Sequence, residues 1–110
     1  MTTAFPIKRN DTSPSIAMRL RNGDGTIPDL TGASVVFNMR SATTKASVVD
    51  RGAMVVHDLA DGVVRYDWIA ADTAAAGLYQ AEAEVTFADG GITTYPNHDW
   101  QPVKIDEDAG

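Results

Sequence analysis

The stretch Tyr79-Gln-Ala-Glu-Ala-Glu-Val-Thr-Phe87 alternates apolar and polar side chains along its whole length. Successive side chains of a β-strand point to opposite faces, so this alternation puts one apolar face on a core and one polar face in water. Three of the four polar positions are Gln80, Glu82 and Glu84. We therefore predict a long, half-buried strand of the kind found in antiparallel sheets.

Shorter runs with the same period lie on both sides of this strand, near residues 5–8, 16–21, 35–40, 53–59, 64–69 and 100–105. Asn22-Gly-Asp-Gly25 links two of these strand candidates, whereas Asp61-Gly62 and Asp89-Gly90-Gly91 predict hairpin turns. Pro6 lies inside the first run, which predicts an edge strand. About seven to eight short strands separated by regular turns predict an all-β sandwich.

The segment between the strands near residues 64–69 and 79–87 is rich in alanine and does not alternate. We predict a single helical turn over residues 72–76, with Asp72 or Thr73 as its N-cap and Gly77 as its stop. The sequence Gly77-Leu-Tyr-Gln-Ala81 then resembles the corner of immunoglobulin-like domains, in which a tyrosine hydroxyl bonds back to the preceding crossover. The resemblance implies an Ig-like antiparallel β-sandwich without its disulfide, because Ala81 stands at the cysteine position. The alternative is a generic turn before a strand.

The length and composition of the chain predict a single domain and exclude several kinds of protein. The chain has 110 residues, of which 44% are hydrophobic, so we predict one domain over residues 1–110, with a core over about 5–105 and an acidic tail over 106–110. It has no cysteine, which excludes disulfide scaffolds, Cys-ligated zinc and thiol catalysis. A net charge of −6 argues against nucleic-acid binding. No apolar run is long enough to predict membrane insertion.

Residues that could carry chemistry are scattered. His57 and His98 each precede an aspartate, but neighbouring side chains in a strand diverge, so we interpret both as surface or interface histidines. The loop Asn22–Thr26 faintly resembles a calcium-binding loop. We prefer to interpret it as a hairpin turn. Loose binding of Ca²⁺ at an assembly interface is an alternative that stays open. Glu82 and Glu84 belong to a solvent face. We predict no catalytic residue, no metal ligand and no cofactor.

The aromatic residues near the end of the chain leave two interpretations open. Tyr95 and Trp100 flank the loop Pro96-Asn-His-Asp99. They could form an interface anchor or a sugar platform, or Trp100 could simply cap the sandwich. A Trp100 buried against Tyr79 would exclude the sugar platform. We also expect the first strand to pair or pack with a neighbouring chain. The predicted interface residues are therefore Phe5, Ile7, Arg9, Tyr95, His98 and Trp100.

Several motifs in order resemble the N-terminal domain family of phage baseplate upper proteins and related small virion proteins of tailed bacteriophages. The matching pieces are a basic-Asp-Thr start, an Asp-Leu-Thr-Gly-Ala-x-Val strand entry, a Gly-x-Val-x-Tyr-x-Trp strand, an Asp-to-Glu corner and an Asp-Gly…Pro hairpin. They correspond to Arg9–Thr12, Asp29–Val35, Gly62–Trp68, Asp72–Glu82 and Asp89–Pro96. The resemblance covers residues 5–105.

The resemblance implies a non-enzymatic structural part of a phage particle that binds other virion proteins and copies of itself. The protein would be made in the host cytoplasm and reside in the virion. In this family the domain is usually the head of a longer chain, whereas this sequence ends near residue 110. We therefore expect an adaptor in the baseplate, the neck or collar, or the capsid decoration. The alternative function is a stand-alone module that binds host-surface carbohydrate through Tyr95, His98 and Trp100.

Overall fold

The computed structural model describes residues 3–109 as eight β-strands and one short 3-10 turn. The strands are β1 (Phe5–Lys8), β2 (Ile16–Arg19), β3 (Ser34–Ser41), β4 (Ser47–Asp58), β5 (Val63–Tyr66), β6 (Gly77–Thr86), β7 (Ile92–Tyr95) and β8 (Gln101–Asp106), and the 3-10 turn spans Ala70–Thr73. The all-β prediction is confirmed. Across residues 3–109, no helix has the length and apolar character that crossing a membrane requires.

The strands form one continuous, nearly barrel-shaped sheet in the order β1-β8-β6-β3-β4-β5-β2. One edge of β6 pairs with β3, and its other edge is shared between β8 and β7. Six of the seven strand pairings are antiparallel, but β1 pairs with β8 in parallel, so the sheet is mixed. The prediction that Pro6 marks an edge strand is confirmed, because β1 lies at one end of this order.

Strand β4 connects the two halves of the sheet. Its first part pairs with β3 and its last part with β5, with register shifts along both pairings. At one irregularity Arg51 adopts a φ of 57°, and its backbone N–H donates to the Asn38 Oδ1 at 2.8 Å. Gly52 follows, and a Cβ there would lie 2.6 Å from the Tyr66 ring. The strand bends because the extra residue raises the local twist.

The core fills the space between the two halves of the sheet. Phe37 stacks on Tyr66 with ring centroids 4.5 Å apart, and Trp68 meets Phe37 edge-on at 5.6 Å. The apolar positions predicted for β6 are buried, with Ala81, Ala83 and Val85 all 0% exposed. Phe87, at the end of that pattern, is half-buried and packs against the same core.

The corner before β6 has the predicted hydrogen bond, but the helical turn lies earlier than predicted. The Tyr79 hydroxyl donates to the Ala75 carbonyl oxygen at 2.6 Å. The turn spans Ala70–Thr73 rather than residues 72–76. The Asp72 carboxylate accepts from the Ile69 N–H at 3.0 Å and thus caps the turn from within, instead of standing at its start. Assignment to an immunoglobulin-like sandwich stays a prediction.

Two of the three predicted turns join paired strands. The loop with Asp61-Gly62 connects β4 to β5, and the loop with Asp89-Gly90-Gly91 connects β6 to β7. Asn22–Gly25 does form a turn, closed by a 2.8 Å bond from the Gly25 N–H to the Asn22 carbonyl. It does not form a hairpin between neighbours, because β2 pairs with β5 and β3 pairs with β4 and β6.

Candidate functional site

Two of the six predicted interface residues are buried within this chain's own core. Ile7 is 5% exposed and Tyr95 is 1% exposed. The Tyr95 hydroxyl donates to the Asn22 Oδ1 at 2.6 Å, and burial raises the pKa of Tyr95. Neither side chain is available to anchor another protein while the domain stays folded. For Phe5, Arg9, His98 and Trp100, the interface role stays a prediction.

Phe5 and Arg9 tie the start of the chain to the rest of the domain. The half-buried Phe5 ring lies 6.0 Å from the Trp68 ring, measured between centroids. The Arg9 guanidinium lies 3.6 Å from a Glu107 carboxylate oxygen and 3.8 Å from one of Asp108. Strand β8 continues through Asp106, so it includes the first residue of the predicted acidic tail. The last residue of that tail, Gly110, lies outside the described residues.

Trp100 stands on the outer face of the sheet and does not pair with Tyr95. It is 38% exposed, and the Arg40 guanidinium lies over its ring at 5.1 Å from the centroid. Arg40 is held in turn by Gln80, whose Oε1 accepts from the Arg40 Nε at 2.9 Å. A pocket of about 200 Å³ adjoins this stack, with the polar side chains of Asn38 and Glu82 among its walls. Because Trp100 is half-exposed, the burial that would exclude sugar binding is not observed.

His57 and the neighbouring Asp58 contact different partners. The His57 Nδ1 lies 3.3 Å from the Arg65 Nη1, whereas the Asp58 Oδ1 accepts from the Asp61 N–H at 3.1 Å. The predicted divergence is therefore confirmed. His98 is exposed on the loop between β7 and β8.

Other carboxylates are engaged in local hydrogen bonds and ion pairs. The Asp24 Oδ1 accepts from the Thr26 hydroxyl at 2.6 Å and from its N–H at 3.0 Å, and these bonds lower the pKa of Asp24. Glu84 lies 3.0 Å from the Arg51 Nη1 on the outer face of the sheet. Within residues 3–109, no three carboxylate or imidazole side chains gather in a way that could hold a metal ion.

A buried polar pair inside the core was not predicted from the sequence. The Tyr66 hydroxyl donates to the Asp72 Oδ2 at 2.7 Å, and Asp72 is 6% exposed. Burial and this bond to a carboxylate raise the pKa of Tyr66 above its ordinary value. The pair joins the end of β5 to the 3-10 turn, so its role is to fix the crossover into β6. An aspartate within an alanine-rich turn was the available signal, and it was interpreted as an N-cap.

A groove beside β2 was also missed. Residues 17–21 form one wall, and Tyr95, Pro96, Asn97 and Gln101 form the other, around a volume of about 310 Å³. Arg19 and Arg21 are among the residues of the first wall. Arg19 Nε and Arg21 Nη2 bind the same carboxylate, that of Asp61, at 3.0 and 2.6 Å. We call this feature the β2 groove. Alternation predicts β2 as a strand, but it cannot show what lies beside its free edge.

The comparison with known protein families gives one match. Residues 7–95 match the BppU N-terminal domain, a family of phage baseplate upper proteins. The match runs from β1 to the end of β7 and includes the buried core positions of β2, β3, β5 and β6. No curated protein matches the chain. The chain therefore belongs to the family of the phage baseplate upper protein (BppU) N-terminal domain, and this family is one of structural proteins of the phage particle.

Proposed function

We propose that this domain is an attachment module that holds neighbouring subunits together in the baseplate of a tailed phage. The observation that carries the proposal is the family match over residues 7–95. Its partners would be other virion proteins and further copies of the same chain. Residues 1–110 would act as one domain, and the interface would lie on strand edges and outer faces rather than in a deep cleft.

Exposed apolar side chains around the turn between β4 and β5 support an interaction role. Ile27 is 44% exposed and Leu59 is 51% exposed. Both lie beside Gly62: the Ile27 side chain is 3.0 Å from the position of a Cβ on Gly62, and the Gly62 N–H approaches the Leu59 carbonyl oxygen at 3.4 Å. Val56, near the end of β4, adds a further side chain that is 37% exposed. Adjacent exposed apolar side chains are typical of protein-binding surfaces.

Immunogold electron microscopy of purified particles tests the proposal, with an antibody raised against this chain. We expect gold at the tail tip, and antibody first absorbed with the purified chain should abolish the label. Gold at the neck or capsid would contradict a baseplate location. If the particles are not labelled, mass spectrometry of denatured particles shows whether the chain is present with a hidden epitope or is absent. Particles that lack the chain would overturn the proposal.

Carbohydrate binding is a second candidate function, favoured by the half-exposed Trp100 beside a pocket that polar side chains help to line. Sugars stack on indole rings and bond to polar side chains such as those of Asn38 and Glu82. Arg40 covers one face of the ring, so a sugar would use the other face. Tyr95 would take no part, because it is buried.

A glycan array probed with the purified chain tests this second function. Specific binding that is lost in Trp100→Ala and kept in His98→Ala would support it. The absence of binding to host-surface glycans at millimolar concentrations would exclude it. Arg40→Ala is an informative companion variant, because removing the guanidinium frees the second face of the indole.

A further inference from the structure

Unpaired strand edges within residues 3–109 include those of β1, β7 and β2, and the edges of β1 and β7 are blocked. In β1, the Arg9 N–H donates to the Asp106 carbonyl, so Pro6 and Lys8 face outward. Pro6 has no N–H, and the Lys8 carbonyl already accepts from the Asp11 N–H at 3.1 Å. In β7, the outward Thr94 carbonyl accepts from the Asn97 side chain at 3.1 Å.

The outer edge of β2 is open by contrast. The Leu20 N–H donates to the Gly62 carbonyl at 2.8 Å, which continues the register of Met18 opposite Val64. Hydrogen-bonding residues alternate along an antiparallel pair, so the backbone groups of Ala17 and Arg19 face away from β5. They face the β2 groove, and neither residue is proline or lies at a register shift of the pairing with β5.

The charge of the β2 groove differs from that of the whole chain. The chain has 15 acidic and 9 basic residues, yet the described residues that line the groove include two arginines and no carboxylate. Arg19 is 66% exposed at its side chain, and it shares the Asp61 carboxylate with Arg21. Two guanidinium groups on one carboxylate leave positive charge to be neutralised. Met18 and Leu20 add apolar side chains beneath the edge.

We propose that the β2 groove receives an extended, acidic segment of a neighbouring virion protein, which adds to β2 as a further strand. Backbone groups of the segment would bond to those of Ala17 and Arg19, and its carboxylates would neutralise Arg19 and Arg21. Peptides that add to a sheet edge gain affinity from main-chain bonds and specificity from alternate side chains. This inference rests on the proposed attachment function and names the partner's chemistry.

Particle incorporation of variants tests the inference, with copies per particle counted by mass spectrometry against another virion protein. Ala17→Pro removes the outward N–H while the bonds to β5 stay intact, and Arg19→Glu reverses the charge. We expect each to lower incorporation by about tenfold. Ala17→Val keeps the N–H, and Arg51→Glu reverses an exposed charge elsewhere. These two controls should incorporate within about twofold of the wild-type chain.

Thermal unfolding of each purified variant shows whether it folds. If Ala17→Pro does not fold, the incorporation of Arg19→Glu tests the inference. Normal incorporation of both test variants would overturn the inference while leaving the attachment function intact. Loss with Arg19→Glu alone, with a folded Ala17→Pro incorporating normally, would overturn strand addition because it places the contact on the side chain only. A wild-type chain absent from particles would instead show that the attachment function itself is wrong.

Discussion

The Tyr79 hydroxyl donates a 2.6 Å hydrogen bond to the Ala75 carbonyl, and this bond closes the corner between the 3-10 turn and β6. Tyr79 is 7% exposed, so its hydroxyl has little access to water as an alternative partner. Tyr79→Phe should lower the free energy of unfolding by about 1 kcal/mol, because it removes one bond and little packing. Urea denaturation measures the change. Leu78→Ala, at a neighbouring side chain that is 58% exposed, is the control and should have a smaller effect.

Position 52 requires glycine because there is no room for a side chain, and not because of its backbone conformation. A Cβ at this position would lie 2.6 Å from the Tyr66 Cε1 and 2.9 Å from the Val49 Cγ1. Gly52→Ala should destabilise the domain by about 1–3 kcal/mol, because either the Tyr66 ring or the bend of β4 must shift. Gly23→Ala is the matched control, since its Cβ would have no neighbour closer than 4.0 Å. Equal unfolding midpoints for the two variants would contradict this account.

The buried Tyr66–Asp72 pair predicts a loss of stability in alkali. The pKa of Tyr66 is raised above 10.0, so above that pH the unfolded chain loses the tyrosine proton before the folded chain does. The stabilisation is therefore complete below pH 10 and is lost as pH rises toward the folded pKa. For one proton the loss is at most about 1.4 kcal/mol per pH unit.

Urea denaturation of the wild-type chain and of Tyr66→Phe between pH 9 and 11 tests this dependence. At pH 9 the variant should be less stable by about 1–3 kcal/mol, because the Asp72 carboxylate loses a partner in the core. The difference between the two proteins should shrink as the pH rises. A constant difference over this range would mean that Tyr66 does not titrate on unfolding. The measured difference isolates Tyr66, because the buried Tyr95 is common to both proteins.

Local patterns predicted the strands well, because the alternation of side chains follows directly from strand geometry. The period-2 pattern of residues 79–87 placed Ala81, Ala83 and Val85 on the buried face, where they lie. The hairpin turns at Asp61-Gly62 and Asp89–Gly91 were also local signals. Strand order was not predictable in this way. The pairing of β1 with β8 joins the two ends of the chain, and nothing in either short segment specifies the other.

The candidate interface was harder to predict than the fold. A run of four residues alternates in the same way whether its apolar face meets a core or a partner, so Ile7 was assigned to an interface although it is buried. Tyr95 was assigned from its place beside a loop, but its side chain turns inward to Asn22. The β2 groove required the three-dimensional structure, because its two walls are about 80 residues apart in the sequence.

The first strand contributes to the core and to the surface through different residues. Ile7→Ala should destabilise the domain by about 2–5 kcal/mol, because it removes a buried side chain. Arg9→Ala should cost less than about 1 kcal/mol, because its ion pairs with Glu107 and Asp108 are long and solvent-exposed. Thermal unfolding of both variants measures this contrast, and equal losses would contradict it.

This contrast determines how an interface at the N-terminus can be tested. Deletion of residues 1–9 would remove Ile7 and the whole of β1, so poor particle incorporation of that variant would report misfolding as readily as a lost contact. Arg9→Ala should keep the fold. If Phe5–Arg9 contacts a neighbouring subunit, folded Arg9→Ala should incorporate less well than Lys104→Ala, a control on the adjacent strand β8. Equal incorporation of the two variants would remove Arg9 from the interface and leave β1 as a structural element of this domain alone.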